Sequence, residues 1–229
     1  EICACLVGSE MCIRDRYYYR LGNRSLRPEK ANEYNMGITW SRSFSSFLNY
    51  LSVTVDGYYN DVTDKIVAFP TTYAWKMANY GKVHVTGMDA TLAAAASLGK
   101  NMVLVVSGGY TWQKAIDLTD ATSKSYKDQL PYTPKHSGNV SAVLEMPWVN
   151  VGYSIVGVSE RYSMSQNIPE NRIDGYMEHT VSLSRNFSFR HCKLRLQAEI
   201  INLTDTQYDV IKYYPMPGRS WRLTGTIEF

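Results

Sequence analysis

Apolar and polar residues alternate along most of this chain. From Ser220 to the end, Trp221, Leu223, Gly225, Ile227 and Phe229 fall on one parity, with Arg222, Thr224, Thr226 and Glu228 on the other. The segment before it repeats the pattern: Cys192, Leu194, Leu196, Ala198 and Ile200 against Lys193, Arg195, Gln197 and Glu199. Further upstream it recurs at His179-Val181-Leu183, at Val140-Ala142-Leu144-Met146, at Leu51-Val53-Val55 and at Tyr34-Met36-Ile38-Trp40. A period of two marks strands with one apolar and one polar face. Between Lys82 and Ser97 the apolar parity shifts from Val83 and Val85 to Met88, Ala90 and Leu92, which predicts a bulge at Gly87. The pattern yields about nine strands, each near or above the length of a tilted membrane strand.

The connections alternate in length. Short ones are expected around Ser43–Phe47, Leu98–Lys100, Pro147-Trp148 and Ser188–His191, and long ones at Val62–Asn79, Ala115–Pro134, Ser163–Gly175 and Thr204–Arg219. Short turns at one rim and long loops at the other are the asymmetry of bacterial outer-membrane barrels. Aromatic residues fall where interfacial girdles belong: Trp40, Phe44, Phe47, Trp148, Phe187, Phe189 and Phe229 near the short turns, and Tyr58, Tyr59, Tyr110, Trp112 and Tyr162 near the long loops.

Composition agrees with that reading. The chain has 18 Tyr, 5 Trp and 6 Phe among 229 residues, and no apolar run approaches a transmembrane helix. Its mean hydropathy of −0.29 is compatible with a barrel, because polar lumen residues offset apolar lipid-facing ones. A formal charge of +3 is too mild to argue for nucleic acid.

Residues 1–16, EICACLVGSEMCIRDR, have neither the apolar core of a signal peptide nor any periodicity. Leu6 to Arg16 coincide with one reading frame of a transposase-library adapter. The segment is therefore expected to be adapter-derived, and the fold is sought in residues 17–229. Setting it aside removes Cys3, Cys5 and Cys12 and leaves Cys192, so neither a disulfide framework nor a cysteine metal cluster is expected.

Five further segments carry a family resemblance. They are Asn23-Arg24-Ser25-Leu26-Arg27-Pro28-Glu29; Gly57-Tyr58-Tyr59-Asn60; Asn79-Tyr80-Gly81-Lys82 with Val85-Thr86-Gly87-Met88; Leu130-Pro131-Tyr132-Thr133-Pro134-Lys135-His136; and Glu199-Ile200-Ile201-Asn202-Leu203-Thr204-Asp205-Thr206-Gln207-Tyr208 with Tyr214-Pro215-Met216-Pro217-Gly218-Arg219-Ser220. In this order they resemble the C-terminal half of the TonB-dependent receptors. Thr204 stands where that family commonly has Phe. The resemblance implies an all-β, antiparallel transmembrane β-barrel fragment, about nine strands of a plugged barrel of about 22. It also implies a Gram-negative outer-membrane location and active uptake of a scarce ligand such as an iron chelate or cobalamin. The implied partners are the TonB energy-transducing complex, reached through an N-terminal plug that precedes this chain, the barrel-assembly machinery, outer-membrane lipid and the small-molecule ligand.

On the resemblance, Lys193, Arg195, Gln197, Glu199, Arg222 and Glu228 face the lumen and its plug, and Phe229 is the aromatic end that barrel-assembly machinery recognises. Ligand contact falls to the long loops, where Tyr73, Trp75, Tyr126, Tyr213 and Tyr214 offer ring surfaces. No cofactor and no catalytic site are expected. His84, His136, His179 and His191 sit on separate segments without metal-ligand spacing. Asp61, Asp64, Asp117, Asp120 and Asp128 crowd the loops, where solvation explains them as well as a cation does. Gly99-Lys100, Gly108-Gly109 and Gly218 read as turn or bulge glycines. A passive porin-like barrel or a soluble β-sandwich would share the alternation; a sandwich would bury its apolar face against a second sheet.

Overall fold

The computed structural model describes residues 20–21, 23, 25–45, 47–70, 75–99, 101–190 and 192–228; for residues 20, 21, 69, 70, 75 and 80 it describes only the backbone. The sixteen-residue segment expected to be adapter-derived, Tyr73, His191 and Phe229 lie outside the described residues, as does the side chain of Trp75.

The strands in chain order are β1 (Arg20–Leu21), β2 (Lys30–Ser43), β3 (Leu48–Pro70), β4 (Trp75–Gly99), β5 (Met102–Asp117), β6 (His136–Glu145), β7 (Asn150–Val158), β8 (Arg161–Tyr162), β9 (Arg172–Ile173), β10 (Tyr176–Ser188), β11 (Lys193–Ile201), β12 (Asp209–Ile211), β13 (Tyr214–Pro215) and β14 (Ser220–Glu228). One sheet holds nine of them in the order β14-β11-β10-β7-β6-β5-β4-β3-β2, and β1 lies parallel to β4. All neighbours on the main path are antiparallel, as hairpin connections require. Among the described residues no helix is long and apolar enough to cross a membrane.

The apolar face is the exposed one. Tyr34, Met36, Ile38, Met177, Trp221, Leu223 and Ile227 are all among the exposed large hydrophobics, Leu223 at 81%. A sandwich would cover such a face with a second sheet, and the described residues form no second layer on it.

Buried apolar side chains gather on the opposite face, at the long-loop end. Val62, Val83, Ala115 and Leu130 form the cluster there, with Val67 and Val85 against it. The chain after β5 folds back over this face: Leu118 N donates to Lys82 O, Lys127 N to Asp117 O and Leu130 N to Ala115 O, each at 2.8 Å.

This cover corrects the expected bulge at Gly87. Register runs unbroken through Gly87 to both neighbours, and the shifts fall instead at Leu48/Tyr50 and Ser97/Gly99. The apolar parity changes because the covered face needs Val83 and Val85 where the loop packs, while Met88, Ala90 and Leu92 belong to the exposed face further down. Gly108 and Gly109 also lie mid-strand in regular register with Val140 and Asn139, neither in a turn nor at a bulge. The stretch Val62–Asn79 is mostly an extension of the β3–β4 hairpin, paired out to Pro70 and Trp75. The other three long connections carry short elements: the bridge Ile116–Gln129, the pair β8–β9 with a 3-10 turn at Pro169–Asn171, and the pair β12–β13.

Candidate functional site

The C-terminal hairpin brings the polar candidates onto one face. Lys193 pairs with Glu228, Arg195 with Thr226, Gln197 with Thr224 and Glu199 with Arg222, and β10 continues these rows with Ser188, Asn186, Ser184 and Ser182. Arg222 Nε lies 2.5 Å from Glu199 Oε2. The adjoining row is made of small side chains, Ser41, Ser52, Ala93, Ser107, Ser141, Ser154 and Thr180 across seven neighbouring strands. The polar face is thus charged at its C-terminal end and smooth across its middle.

At the long-loop rim the recurring segments meet one another. Asn23 Nδ2 donates to Met77 O at 3.0 Å; Asn79 accepts from Arg27 N at 2.9 Å and donates to Arg27 O and Asp64 O. Glu29 takes Lys65 Nζ at 2.8 Å and Ile66 N at 3.1 Å. The segment before β2 is therefore held on the tall β3–β4 hairpin by side chains that satisfy backbone groups the ladder leaves open.

Asn202 performs the same task in the last loop. It is 1% exposed, sits at φ 53°, accepts from Thr206 N and donates to Thr206 O, both at 2.9 Å. Asp205 accepts Arg219 N at 2.8 Å, and a Cβ on Gly218 would lie 2.6 Å from that carboxylate. Gly218 is needed for this close approach.

Three loops converge on Arg161. The residue is 4% exposed; its Nη2 donates to Asp209 O at 2.8 Å and Val210 O at 2.9 Å, and its guanidinium lies 5.8 Å from the Tyr176 ring centre. Tyr176 stacks on Tyr208 at 3.9 Å, and Tyr208 Oη donates to Glu178 at 2.6 Å. Burial lowers the Arg161 pKa, yet a guanidinium stays charged at any physiological pH. Desolvation and then Glu178 push the Tyr208 phenol far up, so it remains a neutral donor. Tyr132, in the loop before β6, is also raised by burial; its amide reaches Tyr162 O at 2.7 Å.

The three described histidines are paired with tyrosines across strands, which residue spacing alone did not reveal. Tyr110 Oη lies 2.7 Å from His136 Nδ1, Tyr153 Oη 2.6 Å from His179 Nδ1, and Tyr59 Oη 3.5 Å from His84 Nδ1. In each the histidine stands two positions from the residue opposite the tyrosine, the diagonal contact of an antiparallel pair. All three lie on the exposed apolar face. Tyr58, expected in the same girdle, points the other way, its ring over Gly87.

A family profile described as TonB dependent receptor-like, beta-barrel, matches residues 13–203. The chain belongs to this receptor-barrel family. Its members are transporters of the Gram-negative outer membrane, not enzymes. Solved structures of the same fold include the ferric-catecholate import receptor Fiu of E. coli, at 22% identity and TM-score 0.61 over 89% of this chain and 28% of that one. The siderophore receptor PiuA of Acinetobacter baumannii matches at 20% and 0.65 over 88% and 29%, and the unliganded ferric citrate transporter FecA at 17% and 0.68 over 86% and 31%. This chain spans less than a third of each of them.

Other expected site residues of this receptor barrel are dispersed. Tyr213 and Tyr214 are 81% and 70% exposed, whereas Tyr126 is half-buried with Lys127 over its ring. The loop aspartates have protein partners: Asp61 with Lys82, Asp64 with Arg27, Asp117 with Thr119 N and Ser125, Asp120 with Thr122, and Asp128 with Asn167 N. No group of three or more metal-ligating side chains occurs among the described residues.

Proposed function

We propose that this chain is the C-terminal wall of an outer-membrane active transporter for an iron chelate, energised through TonB. The observation carrying this reading is the division of the sheet: an exposed apolar face over nine strands, and a polar face on which Lys193–Glu228 and Glu199–Arg222 are registered pairs. Such a polar face suits a lumen filled by a plug, and the apolar face suits lipid. In this reading Lys193, Arg195, Gln197, Glu199, Arg222 and Glu228 contact the plug, and the rim of clasped loops admits the ligand. Iron chelates are favoured over cobalamin because Fiu is a ferric-catecholate import receptor, PiuA a siderophore receptor and FecA a ferric citrate transporter. Phe229 serves the assembly machinery, and residues 1–16 derive from an adapter; a sequencing read through the native locus checks the latter.

The test uses the complete receptor in a strain lacking its own iron-chelate receptors. Growth on ferric catecholates or ferric citrate that vanishes when tonB is deleted is the expected result. Equal uptake with and without TonB overturns the proposal in favour of a passive porin.

A further inference from the structure

Among the described residues, two strand arginines interrupt the apolar face toward its short-turn rim, Arg42 on β2 and Arg185 on β10. Arg42 is opposite Leu51, which is itself opposite Ala94; Arg185 is opposite Leu196, which is itself opposite Gly225. The rows on either side of Arg185 are Leu183-Ala198-Leu223 and Phe187-Leu194-Ile227. The charge is therefore set among apolar side chains, of which Leu223 and Ile227 are 81% and 57% exposed.

The two arginines are placed alike. β2 and β10 each run down to a short turn, and each carries a phenylalanine two positions nearer that turn, Phe44 and Phe187. The Arg42 guanidinium lies 5.3 Å from the Phe44 ring centre and that of Arg185 4.8 Å from the Phe187 ring centre. Each cation thus leans along its strand toward the rim, over a ring of the aromatic girdle. Neither has an ion pair among the described residues.

Short turns of outer-membrane barrels lie on the periplasmic side, where the leaflet is built of glycerophospholipids. A cation on a lipid-facing strand is costly without a counter-charge. The phosphodiester of the headgroup supplies one, and a guanidinium fork matches two phosphate oxygens. An acyl chain below that headgroup has a surface to lie on. The Arg185 row ends at Gly225, where a Cβ would meet Leu196 Cδ2 at 3.7 Å, an ordinary contact, so the row is left low between Leu223 and Ile227.

We propose that Arg42 and Arg185 each hold the phosphate of a glycerophospholipid of the periplasmic leaflet, at the Phe44 and Phe187 girdle. The proposal rests on the outer-membrane reading of the apolar face. The complete receptor, purified in detergent and stripped of lipid, would be titrated with dioleoyl phosphatidylglycerol or with dioleoylglycerol, which lacks the phosphate, and the bound lipid counted by native mass spectrometry. Arg42→Leu and Arg185→Leu should each weaken one retained phosphatidylglycerol at least tenfold, and the double variant two. Lys124→Gln, which removes the same charge from an exposed position in a long loop, should weaken none. Arg185→Lys should keep its lipid severalfold more weakly, because an ammonium meets the phosphate at one point. Dioleoylglycerol should bind all of these proteins alike. Unchanged phosphatidylglycerol retention in the double variant, an equal loss in Lys124→Gln, or a parallel loss of dioleoylglycerol overturns the proposal. Heat-modifiable migration in the outer-membrane fraction keeps these outcomes separate from failure of the membrane reading, in which the wild type itself would not insert.

Discussion

Tyr208 donates its phenolic hydrogen to Glu178 Oε2 at 2.6 Å, fastening the last loop to the top of β10. A hydrogen bond to a charged acceptor contributes about 1.5 kcal/mol or more. Tyr208→Phe keeps the stack on Tyr176 and loses only that bond, so subtilisin should nick the loop between Thr204 and Arg219 about tenfold faster. The folded phenol titrates above its ordinary value of 10.0. Its contribution is therefore complete below pH 10.0 and lost as pH rises through the raised folded value. The ratio of nicking rates should stay constant from pH 8 to 10, measured with the enzyme's own pH profile divided out.

Asn202 supplies both a donor and an acceptor to Thr206 from a left-handed backbone conformation. Asn202→Ala removes both bonds and puts Cβ-bearing alanine at φ 53°, where asparagine is better tolerated. The loop should lose about 2–3 kcal/mol of local stability. Asn202→Asp keeps the acceptor for Thr206 N and should lose about half as much. Hydrogen exchange of the Thr206 amide reads both, and equal exchange in the two variants would refute the division.

The strands were legible because each is amphipathic in itself; Trp221 to Glu228 needs no neighbour to be read. Features that depend on a second segment were not. The parity change after Val85 is indistinguishable from a bulge until Leu130 is seen covering Val83. The Tyr–His pairs need register between strands, which places Tyr153 diagonal to His179 across 26 residues of sequence. Asn79, Asn202 and Gly218 were visible as parts of recurring segments, but their tasks became clear only where a carbonyl, an amide and a carboxylate were brought beside them. The lumen candidates on β11 and β14 were grouped by alternation alone, since both strands belong to one hairpin.

Leu130 is the one large side chain that the folded-back loop contributes to the buried cluster. Leu130→Ala should cost about 2–5 kcal/mol, as core truncations do. The loss should be local, because the cluster joins a loop to a sheet whose ladders stand without it. Exchange should rise at Leu118 and Lys127, whose amides bond Lys82 O and Asp117 O, and remain unchanged at Val143 and Leu183. A fall in whole-barrel melting temperature without that pattern would place the cluster in the global core instead.

Arg161 gives a sharper test of the rim, because its two hydrogen bonds, both from Nη2, and its position over Tyr176 require the reach of a guanidinium. Lysine carries the same charge but ends one bond short of Nη2, the single atom that serves both the Asp209 and Val210 carbonyls, and offers no planar group to the ring. Arg161→Lys should therefore release the last loop almost as fully as Arg161→Met. Were charge alone responsible, lysine would preserve the clasp and methionine alone would break it. Spin labels at Met164→Cys and Tyr213→Cys, on exposed positions of the two loops, report the distance between them. A narrow distribution in the parent that broadens in both variants is the expected result; broadening in Arg161→Met only would assign the clasp to charge, leaving the reach of the guanidinium without a role.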